Sequence, residues 1–294
     1  MFWEAIAANQ VRTVILVLLI FALVTAVAWA IGYLIYGGSS PGIVLFALIF
    51  ALITTIGTWY NSDRMVIGMS GAHPITREEQ PYLWDIVEGL SLAAQLPMPK
   101  PYLLESEAMN AFATGRDPQH AAVVVTTGIL RVLNREEIEG VLAHELSHVG
   151  NHDTLVMAIA TVLAAAIGMV GGMTRYGLWF GGGRRRDDRG SNPILAIMAI
   201  LLLLLAPILA TLLRLAVSRQ REYLADATGA KLTRNPHALA SALAKISGNP
   251  NVLEHASPAL ASMMIVNPLA GLNVQDLLST HPPIEDRIRR LESM

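Results

Sequence analysis

The chain has 294 residues, 53% of them hydrophobic, a formal net charge of −2 and no cysteine. Without cysteine there are no disulfides, no thiolate zinc ligands and no cysteine nucleophile. A near-neutral charge gives no electrostatic footprint for nucleic acid, and the only concentrated basic feature, Arg184, Arg185, Arg186 and Arg189, suits lipid headgroups or solvent.

The apolar excess is gathered into runs long enough to cross roughly 30 Å of hydrocarbon at 1.5 Å per residue. Val11 to about Tyr36 is the first. It continues past the cleavage-like Ala26-Val27-Ala28 and reads as a signal anchor. The turn Gly37-Gly38-Ser39-Ser40-Pro41 leads into the second run, Ile43 to about Trp59. Residues 1–60 are therefore expected to form a transmembrane hairpin whose two ends return to one side.

From about Asn61 to Asp153 the composition turns polar, as in a folded subdomain. Trp84 to Leu96 patterns as a helix, broken by Pro97, Pro99 and Pro101. Tyr102-Leu103-Leu104 and the valine- and threonine-rich Ala121–Thr127 read as short strands, with Asn110-Ala111-Phe112-Ala113-Thr114-Gly115 a possible third. If Asn110, Ala111, Phe112 and Ala113 lie on a sheet edge, their free backbone groups suit an extended substrate peptide; an ordinary hairpin fits the same residues.

The helix that follows is strongly signalled. Asn134 is a good N-cap, Glu137 stands three residues later as in a capping box, and Gly140 is the one weak point before Asp153. Within it lies His144-Glu145-Leu146-Ser147-His148. At 3.6 residues per turn, positions four apart share a face, so His144 and His148 are placed to grip one zinc ion. Glu145 flanks that face, which suits a base acting on water activated by the metal.

Leu155 to about Met173 and Ile194 to about Val217 are the third and fourth apolar runs, the latter interrupted by Pro207, and they flank the polar Gly181–Asn192 loop. Ser218 to Asp226 follows them. A catalytic zinc site takes three protein ligands, so a third must come from another element, and Glu222 is the choice. Asp226, one turn on, is placed to accept the outer N–H of a ligating histidine. His152 and Asp153 are rival ligands; Glu222 and Asp226 pairing with Arg219 or Arg221 on a solvated helix is the plainer reading. By helical rise, His148 and Glu222 stand roughly 8–10 Å outside the same membrane face, so they can meet. This divides the chain into a hairpin at 1–60, a first half of the metal domain at 61–154, a second hairpin at 155–217 with its Arg-rich loop at 181–192, and a second half at 218–294.

Topology signals conflict. Arg12 before the first run places the amino terminus and the polar subdomain in the cytoplasm, whereas full crossing by the third run puts the arginine loop outside. Dominance of the first span reconciles them with a cytoplasmic catalytic domain; an incompletely spanning hairpin packed at Gly168, Gly171 and Gly172 is the other solution.

These residues resemble the HtpX family of membrane-embedded zinc metalloproteases, a group related to the CAAX prenyl proteases. The likeness rests on the two amino-terminal spans, Asn110–Gly115, His144–His148 with Asn151 and Asp153, Ser218–Asp226, and Ser279-Thr280-His281-Pro282-Pro283. His152 departs from the small residue expected there. The resemblance implies His144, His148 and Glu222 as ligands to one Zn2+ per chain and Glu145 as catalytic acid/base. It further implies an inner or plasma membrane location and a quality-control role against misfolded or damaged membrane proteins. The expected fold is mainly α, with about four hydrophobic helices and a gluzincin-like α+β peptidase domain carrying a small sheet. His281, Arg219 and Arg221 are candidates to stabilise the oxyanion; His281 reads equally as ordering the loop before the amphipathic Ile284–Leu291. The expected partners are protein substrates and the lipid bilayer. A CAAX prenyl-type protease and a catalytically silent, zinc-stabilised scaffold are the alternatives.

Overall fold

The computed structural model describes residues 41–159, 161–162, 219–249, 260, 263–265 and 282–294, with scattered positions between 11 and 29. The fourth apolar run, the Arg-rich loop, His281 and most of the first and third runs lie outside the described residues.

The first complete element, α1 (Pro41–Ser70), is a single 30-residue helix. It is the one described helix long and apolar enough to cross a membrane. Leu45, Phe46, Ile49 and Ile53 are exposed along its first half, as lipid-facing side chains are. The apolar pattern predicts an end near Trp59, yet the helix runs on to Ser70, because Ser62 and Val66 become fully buried against the domain. Arg116 clips the two parts together: its guanidinium lies over the Tyr60 ring, 4.9 Å from the centroid, and donates to the Tyr60 carbonyl at 3.2 Å.

The polar segment folds as β1 (His73–Pro74), α2 (Pro81–Ala94), β2 (Lys100–Leu104), β3 (Ala111–Gly115), β4 (Ala121–Thr126), α3 (Thr127–Val132) and α4 (Arg135–Gly150). The strands form one mixed sheet in the order β1-β2-β4-β3, with β2 parallel to β4 and β3 antiparallel to it. β4 is central, and every residue of Ala-Ala-Val-Val-Val-Thr is buried; β-branched residues suit a strand covered on both faces. β3 is thereby an edge strand, as the substrate-strand reading of Asn110–Ala113 requires.

The remaining described helices are α5 (Arg219–Thr233), α6 (Pro236–Ser247) and α7 (Ile284–Glu292). α4 threads the main core, where Ile138, Val141, Leu142 and Leu146 meet Leu83 and Ile86 of α2, Val123 and Val125 of β4, Leu239 and Leu243 of α6, and Leu291 of α7. Gly140 is explained by that packing. A Cβ there would stand 3.0 Å from Leu239 Cα, so only glycine lets α6 approach so closely. On the other face of the sheet, Phe112 and Val124 pack with Val66, Met157, Leu260, Met263 and Met264.

Candidate metal centre

The start of α4 is fixed by the capping box: the Asn134 side chain accepts from the Glu137 amide at 3.0 Å, and Glu137 accepts from the Asn134 amide at 2.9 Å. That sets the phase of the helix. His144, Glu145 and His148 are buried, and the two imidazole rings stand nearly perpendicular.

α5 crosses α4 at His144. A Cβ on Gly229 would meet the His144 amide nitrogen at 2.9 Å, so the backbones touch where only glycine fits. Glu222, Asp226 and Gly229 follow i, i+4, i+7 spacing and form one stripe directed at α4. As a result the carboxylate of Glu222 reaches both histidines: Oε2 lies 3.7 Å from His144 Nε2 and Oε1 lies 3.6 Å from His148 Nε2. The two Nε2 atoms are 3.2 Å apart.

Each imidazole is turned by a carboxylate on its other nitrogen. His144 Nδ1 lies 2.9 Å from Asp226 Oδ1, and His148 Nδ1 lies 3.1 Å from Asp153 Oδ2. With each Nδ1 turned to a carboxylate, the two Nε2 atoms are aimed at one point beside a third anionic donor. Buried lone pairs so converged repel unless a cation or a proton lies among them. Donors about 2.0–2.1 Å from a tetrahedral zinc stand about 3.3 Å from one another, close to the three separations found here. The site fits a divalent cation of that type, and among the described residues His144, His148 and Glu222 are the set able to hold one.

Asp153, a rival ligand on sequence grounds, is instead the partner of His148 and accepts from Arg221 Nη1 at 3.4 Å. His152 is outside the cluster; it adopts φ 57° just after the end of α4. Arg219 is exposed at the first position of α5, while Arg221 is buried behind His148.

Glu145 points to the sheet. Its Oε2 accepts the Ala113 amide hydrogen of β3 at 2.8 Å. Burial pushes its carboxyl up, the Glu222 carboxylate adds to this, and the value stands at about 8 despite opposing help from His148, Ala113 and Arg287. For His148, burial disfavours the imidazolium, but Asp153, Glu222 and Glu145 outweigh it and hold the pKa up at about 9. For His144, burial and the neighbouring Arg287 guanidinium prevail over Asp226 and push the pKa down. The β3 edge has other partners too: the Ala111 carbonyl accepts from Ile265 N–H at 3.0 Å, and the Gly115 carbonyl accepts from the Thr154 hydroxyl at 2.8 Å.

One residue of the centre went unread in the sequence. Arg287 of α7 is almost fully buried, donates to both oxygens of Asp226 and lies 3.7 Å from Glu222 Oε2. A signal was available: Ile284, Arg287, Ile288 and Leu291 follow i, i+3, i+4, i+7 spacing, which puts an arginine inside the apolar stripe of an amphipathic helix.

Residues 77–294 match the family model described as peptidase family M48. A protease HtpX homologue from Dictyoglomus turgidum is 46% identical over 294 residues, covering 100% of this chain and 95% of that relative. One from Streptococcus uberis is 43% identical over 298 residues, covering 100% of both. The crystal structure of S. mikatae Ste24p shares the fold with a TM-score of 0.52 at 16% identity, over 98% of this chain and 67% of that one. An HExxH helix met by a glutamate helix, an edge strand beside the glutamate of the pentad and full-length similarity to these proteases together show that the chain belongs to peptidase family M48, among its HtpX members.

Proposed function

We propose that this protein is a zinc-dependent endopeptidase with one Zn2+ per chain. In this reading it is anchored in the cell membrane by about four helices, with its catalytic domain in the cytoplasm, and it cleaves misfolded or damaged membrane proteins and unfolded chains. The observation that carries the catalytic part is the convergence of His144 Nε2, His148 Nε2 and the Glu222 carboxylate beside the buried Glu145, which the Ala113 amide holds. Membrane attachment rests on the lipid-facing side chains of α1 and on the apolar runs before and after the metal domain.

His144, His148 and Glu222 would hold the ion, and bound zinc supplies Lewis acidity that polarises a carbonyl and acidifies water. Glu145 is the proton carrier. It is placed to take a proton from the attacking water and return it to the leaving amine, and burial raises its affinity for that proton. The Ala113 amide holds that carboxylate next to the edge strand. A substrate segment laid along β3 competes with Ile265 for the Ala111 carbonyl and with Thr154 for the Gly115 carbonyl, so productive binding displaces existing hydrogen bonds. Such main-chain pairing reads extended conformation rather than sequence, which suits unfolded substrates. For the oxyanion, Arg221, Arg219 and His281 remain the candidates.

The test is Glu145→Gln. Cleavage of an unfolded protein is expected to be lost while zinc content stays near one per chain. Unchanged cleavage overturns the assignment, as a silent scaffold would lose nothing. Glu222→Ala is expected to abolish tight zinc binding.

A further inference from the structure

We propose that Arg287 is a positioning residue of the metal centre, holding Asp226 and Glu222 in the arrangement that aims His144 at the ion. The proposal rests on the metal reading above. Arg287 is 1% exposed and so meets neither solvent nor substrate; whatever it does, it does through its neighbours. Those neighbours are specific. Its Nε donates to Asp226 Oδ2 at 2.8 Å and its Nη2 to Asp226 Oδ1 at 2.6 Å, the two-pronged contact that fixes a carboxylate's plane as well as its place. Asp226 Oδ1, so fixed, is the atom that meets His144 Nδ1. The same guanidinium lies 3.4 Å from both ring nitrogens of His144 and 3.7 Å from Glu222 Oε2. Its Nη1 donates to the Ile265 carbonyl at 3.0 Å, and Ile265 N–H reaches Ala111 on β3. One side chain thus ties two elements of the centre to the edge strand.

Stability alone gives no reason for this placement. A buried ion pair is seldom better than well-packed apolar residues of similar volume, and the rest of this helical stripe, Ile284, Ile288 and Leu291, is apolar. A charged fork earns its position only by what it orients. Lysine keeps the charge but loses the fork, which separates orientation from mere neutralisation.

The experiment uses the full-length protein in detergent, comparing wild type, Arg287→Lys, Asp226→Asn and the Arg287→Met/Asp226→Asn pair, which removes both members of the Arg287–Asp226 ion pair together. Zinc affinity is measured by chelator competition, cobalt is substituted to read ligand geometry from its visible bands, and kcat and KM are determined. Arg287→Lys is expected to bind zinc 10–100-fold more weakly, shift the cobalt bands and lower kcat with KM little changed. The double variant is expected to weaken zinc to a similar degree, and no further than Asp226→Asn alone, because both residues act along one path. Arg287→Lys with wild-type zinc affinity and cobalt bands, whatever its melting temperature, overturns the positioning role. Should Arg287→Lys not fold, a double variant with wild-type affinity overturns it equally. A wild-type protein that takes up no zinc refutes the metal reading itself, a failure distinct from either of these.

Discussion

Gly229 of α5 faces the backbone of His144 across a gap that a methyl group would close to 2.9 Å. Because Glu222 and Asp226 lie on the same stripe as this glycine, the helix crossing and the donor geometry are set together. Gly229→Ala should push α5 off α4, weaken zinc binding at least tenfold and cost about 1–3 kcal/mol of stability. Chelator competition and thermal unfolding check this; an unchanged affinity would show that α5 adjusts without moving Glu222.

Zinc uptake should release protons. His148, held up at about 9 mainly against burial by Asp153 and Glu222, carries a proton at neutral pH that an ion at Nε2 must displace. Its raised pKa means the competition is absent well above 9 and grows as pH falls. Apparent zinc affinity is expected to drop up to about tenfold per pH unit below that value. Calorimetry in buffers of differing ionisation enthalpy measures the proton count, and a pH-independent affinity would contradict the assignment.

Glu137 offers a second titration, remote from the metal. Burial raises its carboxyl, but hydrogen bonds from Lys245, Ser241 and the Asn134 amide outweigh it and hold the pKa below the usual carboxylate range. A carboxylate with a lowered folded pKa contributes stability fully above its unfolded value, about 4.3, and loses it as pH falls through the folded value. Glu137→Gln should therefore destabilise the domain by about 1–3 kcal/mol at pH 7 and progressively less on acidification below pH 4. Unfolding of both proteins across that range provides the check.

Asn134→Ala removes one half of the capping box at the start of the helix that carries the pentad. A loss of about 1 kcal/mol is expected, with zinc affinity little altered, because His144 and His148 lie more than two turns further along α4 and Glu222 is on another helix. A large loss of zinc binding would mean that fraying at the helix start reaches His144.

The metal centre was legible because its chemistry is local and periodic: His144 and His148 at i, i+4, and Glu222 and Asp226 at i, i+4, each announce a shared helical face. The three strands were legible from Tyr102–Leu104, Asn110–Gly115 and the valine run, and the structure differs only by a residue or two at their ends. β1, two residues long, carries too little pattern to be read. The extension of α1 beyond Trp59 was hidden because Asp63 and Arg64 look like the end of a span, whereas tertiary burial of Ser62 and Val66 continues the helix. The spacing of Ile284, Arg287, Ile288 and Leu291 marks Arg287 as facing inward, but its partners Asp226 and Ile265 lie on chain segments distant in sequence, and no local spacing encodes those contacts. Asp153 fits a ligand role on sequence because proximity to the pentad does not reveal that it faces His148 Nδ1 and not the ion.

The unbroken path of α1 from its lipid-facing half into the packing around Val66 and Phe112 makes it a stiff post under the catalytic domain. From Trp59 to Val66 the helix climbs about 10 Å. On the proposed membrane reading, the first half of that post would sit in hydrocarbon and the metal centre at a fixed height, so that a tethered polypeptide would have to clear the headgroups by about three extended residues to reach it. On the proposed function the post would act as a ruler: bonds at the waterline would escape, and only chain pulled or slipped free of the bilayer would come within range.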